Sequence, residues 1–292
     1  MSTGGGGAVL RTPFDESERR AWAGSAAAYE AGFGRLCAYP VPQLLDAAGV
    51  AAGVRVLDVG TGTGSAAAAA GARGARVVAV DAEPDMARHA ARAVPDASVH
   101  VAALPQLPYA DGQFDAVVGN FVLNHVGRPR VALDELRRVT RPGGRIALTL
   151  WAAPAAPGQA LLGRAVQAAG VSRPPSLPAL APEDDFPRTE DGLVGLLRGA
   201  GLTDAVCRLL SWDHRTTPQE WWSGPAAGVA TVGRIVRSQG AAVAERIRQQ
   251  FTVLAQEFTD VEGGLVLPHT ALLASGRVAG PGLPSCGGPR VP

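Results

Sequence analysis

The chain has 292 residues, 47% of them hydrophobic and 18% charged, enough for one large core or two modest ones. Its 27 basic and 26 acidic residues leave a formal charge of +1, which argues against a protein that grips nucleic acid through its phosphates. Every basic residue is arginine, so chemistry that needs a lysine (Schiff bases, pyridoxal phosphate, a P-loop) is excluded.

Three cysteines, Cys37, Cys207 and Cys286, stand far apart with no CxxC or Cys/His cluster, so no metal site is expected. The first 20 residues lack the apolar core of a secretory leader, and no run of 18 apolar residues occurs. These features predict a cytoplasmic protein with no membrane partner. Residues 1–12 are Gly-rich and 279–292 Gly/Pro-rich, and both read as disordered tails.

From Glu16 to Ala48 apolar residues recur at spacings of three and four (Trp22, Ala26, Tyr29, Phe33), a helical pattern that Pro40 and Pro42 split into two helices. The rhythm then changes. VRVLDVG (54–60) is a buried strand ending in glycine, and GTGSAAAAAGARG (62–74) a tight turn followed by a small-faced helix. A second strand follows at 75–81, a helix at 83–94, a third strand at 97–104 and a fourth from 114. RVALDELRRVT (130–140) is an amphipathic helix stopped by RPGG, and RIALTLWA (145–152) is a fifth strand. Strand–helix alternation at this spacing predicts an α/β fold built on a parallel sheet.

Residues 153–188 read as an irregular, proline-rich insertion with one short helix near 160–169. A helix at 191–202, a sixth strand at 203–215, several helices over 218–259 and a seventh strand at 265–278 complete the chain. The expected architecture is a Rossmann-like seven-stranded sheet with its last strand antiparallel. The expected divisions are N-terminal cap helices over 13–50, a core over 51–215, a helical lid over 216–262 and the closing strand at 263–278.

The segment VLDVGTGTG (56–64) places Gly60, Gly62 and Gly64 between a strand and a helix N-terminus. Such a turn lets backbone N–H groups approach a ligand closely, or simply closes a tight bend. The third glycine of the nicotinamide fingerprint GxGxxG is Ser65 here, which disfavours a hydride-transfer enzyme. Asp81, 21 residues past Gly60 at the end of the second strand, suits both hydroxyls of a ribose, and equally a helix N-cap.

With RVTRPGGRIALTLW (138–151) added to VLDVGTGTG, VVAVDAEPDM and LPYADGQFDAVVGNFVLNHV, the chain resembles the class I S-adenosylmethionine (SAM)-dependent methyltransferases over residues 54–152. It is most similar to their small-molecule branch with the ubiquinone/menaquinone-methyltransferase pattern. The resemblance implies SAM as cofactor and S-adenosylhomocysteine as its product. It implies that Asp58, Gly60, Thr61, Gly62 and Gly64 cradle the methionine part. Asp81 with Ala82 would hold the ribose, Met86, Ala103 and Leu104 would border the adenine, and Asn120 would face the sulfonium end. Many relatives carry an acid where this chain has Ala103, leaving the adenine to be read through backbone at Leu104.

Methyl transfer is an in-line displacement that needs positioning and dryness, and a base only where the acceptor must lose a proton. His125 and His214 are the candidate bases, each with an alternative packing role; His269 reads as core or surface, His89 and His100 as structural. Trp22, Phe121, Trp221 and Trp222 are candidates for an apolar acceptor pocket, with Tyr29 closing over the cofactor; gluing the cap to the sheet is the competing role for these aromatics. No NPPY motif follows the fourth strand, so a small-molecule acceptor is expected rather than DNA or RNA, in a monomer or homodimer. The same cofactor residues would also serve a non-methylating step such as a cyclisation, or a regulatory partner without activity, although the intact glycine loop argues against the latter.

Overall fold

The computed structural model describes residues 12–172, 174 and 178–280. The tails expected at 1–12 and 279–292 therefore fall, except for Thr12, Ala279 and Gly280, outside the described residues, as does Cys286.

Seven strands, β1 (Arg55–Val59), β2 (Arg76–Asp81), β3 (Ser98–Val101), β4 (Phe114–Asn120), β5 (Thr140–Trp151), β6 (Leu202–Thr216) and β7 (Leu265–Val278), form one sheet. Their order is β3-β2-β1-β4-β5-β7-β6. The first five run parallel, and β7 lies antiparallel between β5 and β6. This is the α/β architecture the alternation predicts. Strand order reverses beside β1, so the loops leaving the C-terminal ends of β1 and β4 diverge and open a crevice.

Each face of the sheet is covered because its strands are apolar on both sides. On one face α4 (Val41–Ala47) and α5 (Ser65–Ala72) pack Leu44, Leu45, Ala67 and Ala70 on Val56, Ala79 and Val118. On the other face α7 (Pro129–Val139) and α9 (Glu190–Gly199) pack Leu133, Leu136, Leu193 and Leu197 on Leu57, Val117 and Ile146. Each such leucine contributes roughly 1.5–3 kcal/mol. The alanine face of α5 allows close approach to the sheet, while α6 (Pro84–Ala93) starts from proline in its first turn and buries Met86, Ala87 and Ala90.

The remaining helices make a cap. α1 (Pro13–Trp22) starts with a capping box in which the Thr12 side chain accepts from Asp15 N–H and Asp15 accepts from the Thr12 backbone. A continuous helical stretch follows: α2 (Ala26–Tyr29), a π-helical turn (Glu30–Gly34) and α3 (Arg35–Ala38). The predicted two-helix reading of Glu16–Ala48 therefore misses a break at Ala23–Ser25, where Gly24 takes φ +68°. α8 (Pro157–Ala168), α10 (Pro218–Ala226), α11 (Ala230–Arg237) and α12 (Ala241–Ala255) share a second core in which Leu161, Trp221, Ile247 and Phe251 meet Leu267. The insertion at 153–188 is thus part of the cap through α8. Among the described residues, no helix is long and apolar enough to cross a membrane.

The RPGG segment differs from expectation too. β5 begins at Thr140 rather than Arg145, and residues 141–144 bulge opposite Asp115, where the register against β4 shifts between Phe114 and Ala116. Gly144 sits where a Cβ would lie 2.6 Å from Thr140 Cγ2 and 2.7 Å from the Asp115 carbonyl oxygen. Gly144→Ala is expected to destabilise the protein by about 1–3 kcal/mol through overpacking against backbone, read as a lower urea midpoint at unchanged slope.

Candidate active site

The crevice at the C-terminal ends of β1, β2 and β4 is closed over by the cap into a cavity of about 390 Å³. Its floor is the glycine loop. Gly60 takes φ +68° and a Cβ there would lie 2.5 Å from Val122 Cγ2, so only glycine permits this approach of the β1 and β4 loops. Gly60 and Gly62 line the cavity just before the N-terminus of α5. Asp58, Thr61 and Gly64 lie behind that wall. Asp58, 1% exposed, accepts a 2.7 Å hydrogen bond from the Thr61 hydroxyl and so braces the loop from below. Burial, above all, pushes its carboxyl up to about 6.

Asp81 closes one side. Its two oxygens accept 2.9 Å hydrogen bonds from the Gly62 and Glu83 N–H groups, which fix the carboxylate at the cavity wall with a lone pair spare on each oxygen. Desolvation outweighs these bonds and raises its pKa to about 6. Ala82, Met86, Ala103 and Leu104 form an apolar slot beside it. Asn120 stands at the centre, held by a 2.7 Å bond from Nδ2 to the Cys37 carbonyl and a 2.6 Å bond accepted from Thr149 Oγ1. A carboxylate for a diol, a slot for a flat base and backbone N–H groups at a helix start are together suited to a nucleoside with an amino-acid tail.

The far end is aromatic. Phe121, at φ +58°, stacks on Trp151 at 4.1 Å between ring centres. Phe33, Trp221 and His269 complete that wall, with Leu162 and Gln159 from α8. His269 is 1% exposed, contacts the Leu267 carbonyl at 2.8 Å through Nδ1, and is neutral at pH 7 because burial lowers its pKa to about 4. Tyr29 and Trp22 cover the opening, edge to face at 5.7 Å. His125, on the 3₁₀ turn Leu123–His125 after β4, lines the cavity between the two ends.

Besides Asp58, Thr61 and Gly64, two more predicted site residues do not line the cavity. His214 does not reach the cavity; its ring is 3% exposed, packed against Tyr39, Trp221 and His269, and burial lowers its pKa to about 4. Trp222 faces the helical core and stacks on Phe251 at 5.4 Å, because adjacent helix residues point about 100° apart and Trp221 takes the cavity side. The sequence reading also missed wall residues: Glu18 and Arg19 of α1, Cys37, Trp151, Gln159 and the cavity-side placement of His269. The spacing Asp15, Glu18, Trp22 on one helix face was the available signal.

A family model described as a methyltransferase domain matches residues 57–148. A demethylmenaquinone methyltransferase of Paenarthrobacter aurescens is 35% identical over 176 residues, covering 58% of this chain and 70% of that protein. The chain belongs to the class I SAM-dependent methyltransferases. A demethylmenaquinone methyltransferase of Beutenbergia cavernae is 40% identical over 120 residues, 41% of this methyltransferase and 50% of that one; here the chain spans about half the length of the relative it matches. The solved YcgJ protein of Bacillus subtilis shares the fold, with TM-score 0.53 and 19% identity over 83% of this chain and 98% of that chain. The matched segment of this methyltransferase holds the glycine loop, Asp81, Asn120 and His125, while the aromatic end is furnished largely by the cap outside it.

Proposed function

We propose that the protein transfers a methyl group from SAM to a small, largely apolar metabolite, with an oxygen as the first choice of accepting atom and nitrogen or carbon next. The observation that carries this reading is a single cavity with two chemically different ends. The Asp81 and glycine-loop end suits the cofactor, and the Phe121, Trp151, Trp221 end suits an apolar acceptor. SAM, when bound, supplies an electrophilic methyl group on a sulfonium. The chain's own residues do the rest. Asp81 accepts from the ribose, Met86 and Leu104 flank the adenine, Gly60 and Gly62 present backbone to the methionine part, and the aromatic end holds the acceptor flat and dry. His125 takes the acceptor's proton where there is one to lose, as from a phenol with pKa about 10. We further propose a natural-product acceptor and a cytoplasmic enzyme, monomeric or homodimeric, with the divisions expected from the sequence except that α8 joins the cap.

Calorimetric titration of SAM and S-adenosylhomocysteine into the purified protein tests the cofactor half. Micromolar binding of both is expected, followed by a gain of one methyl in mass when small aromatic and polyketide-like hydroxyl compounds are offered. Failure of both ligands to bind overturns the reading.

A further inference from the structure

Glu18 sits in the middle of α1 and is only 8% exposed. Its Oε2 lies 2.7 Å from His125 Nδ1, and its Oε1 accepts a 2.8 Å bond from Nη2 of Arg234 on α11. Arg234 also donates to Ser17 Oγ at 3.2 Å. One turn earlier on α1, Asp15 accepts the Gly127 N–H at 2.6 Å. The helix thus grips the His125 loop on both sides, with a charge from the lid holding the grip shut. Burial alone would raise the Glu18 carboxyl, but its bonds and charge contacts with His125 and Arg234 hold it below the usual range, so the group is ionised.

An ion pair that served only to dock α1 would be indifferent to which imidazole nitrogen it met. Here the choice is specific. The indole N–H of Trp22 is also directed at Nδ1, from 3.4 Å. One nitrogen cannot donate to a carboxylate and accept from an indole at once, and the 2.7 Å charge-assisted contact is the stronger. Nδ1 therefore carries the proton, and Nε2 is left bare, with no hydrogen-bond partner among the described residues. The side chain keeps 38% of its surface, on the cavity wall.

We propose that Glu18 is a positioning residue that fixes His125 as the Nδ1–H tautomer with Nε2 bare for an acceptor hydroxyl, and that Arg234 fixes Glu18. This rests on the methyl-transfer reading above and narrows its acceptor to one with a proton-bearing oxygen. In the step it serves, the acceptor O–H bond breaks toward Nε2 and the oxygen keeps the electron pair. That pair forms the O–CH₃ bond as the methyl–sulfur bond breaks, and the imidazolium, stabilised by Glu18, later returns the proton to solvent. The charged groups around His125 are Glu18 from α1, Arg234 from α11 and Asp81 from the end of β2.

The test is long-range ¹H–¹⁵N imidazole spectroscopy of the full chain near pH 8, unliganded and with S-adenosylhomocysteine, for the wild type, Glu18→Gln and Arg234→Met. The wild type is expected to show His125 protonated at Nδ1 alone. Glu18→Gln is expected to lose that preference and Arg234→Met to weaken it, both with circular dichroism unchanged. Turnover of 1-naphthol is expected to fall at least about tenfold in kcat for Glu18→Gln, with KM for SAM held. An Nε2–H tautomer in the wild type, or a tautomer indifferent to Glu18→Gln, overturns the proposal. The unliganded spectra decide this even if S-adenosylhomocysteine fails to bind, a result that would instead remove the methyl-transfer reading.

Discussion

Asp81→Ala is expected to weaken SAM binding by about 1–3 kcal/mol, roughly five- to 150-fold in Kd, the range for hydrogen bonds to a charged group. The carboxylate does two things that alanine cannot. It accepts from the Gly62 and Glu83 N–H groups, which shapes the loop, and it offers its remaining lone pairs to the cavity. Asp81→Asn separates these roles, because it keeps the side chain's shape and loses the charge. Calorimetry on both variants, with thermal melting to establish that they are folded, reads the difference; unchanged affinity in folded Asp81→Ala would remove Asp81 from the cofactor site. The pH dependence has a definite sign. Desolvation raises this carboxyl from 3.8 to about 6, and a diol donates to the ionised form. SAM affinity should therefore fall as pH drops through about 6, by about tenfold per unit well below it, and Asp81→Ala should flatten that slope. The cofactor-free protein is expected to have the opposite sign: the contribution of a raised carboxyl to folding is fully present below 3.8 and is lost as pH rises through about 6. Asp58, also raised to about 6 but behind the loop, adds to the folding term and not to contact with ligand.

The fold was legible because parallel strands buried on both faces read as short apolar runs, and β1, β2 and β4 fall where those runs fall. The end of the cavity proposed for the cofactor was legible for a related reason. A glycine turn and an acid at a strand's C-terminal end are local features, and the strand order that brings them together follows from the alternation. The aromatic end was not. It is built by residues far apart in the chain, such as Phe33 from the π-helical turn, Gln159 from α8 and His269 from β7, and nothing local marks them as neighbours. Misplacement of His214 has the same origin. Two residues on from Trp212 in β6, it shares that residue's face, but whether Trp221 and His269 stand between it and the cavity depends on the cap. Glu18 and Asp15 were hidden differently. Acids in a short charged helix normally face solvent, and those near its start complement its dipole; here Asp15 and Glu18 are turned inward onto the β4 loop.

On the proposal above, the cap is part of the chemistry as well as a lid. α1 supplies Glu18 and Trp22 and α10 supplies Trp221 to the cavity, while α11 supplies Arg234, which holds Glu18 without lining the cavity itself. Opening the cap would admit water and also release His125 from its partner, so the dry site and the oriented base form together. Gly224 on α10 shows how closely the pieces fit: a Cβ there would lie 2.9 Å from the Phe33 ring.

His125→Gln carries the other large expected effect. If His125 takes the acceptor's proton, losing it should lower kcat for a hydroxyl acceptor by about 10²–10⁴-fold, the usual contribution of a positioned general base. Glutamine is the informative replacement because it roughly preserves length and can still meet Glu18 through its amide N–H, so α1 stays docked. SAM affinity is expected to hold within a few-fold, since no cofactor contact is assigned to the imidazole. Steady-state kinetics at several pH values, with calorimetry alongside, separate the outcomes. A large fall in kcat that lessens at high pH, where a phenol ionises without help, marks proton removal as the lost function. An equal fall at every pH would point to positioning of the acceptor instead. An unchanged kcat would show that the reaction runs on proximity alone, as a nitrogen or carbon acceptor with no proton to lose at the displacement would allow.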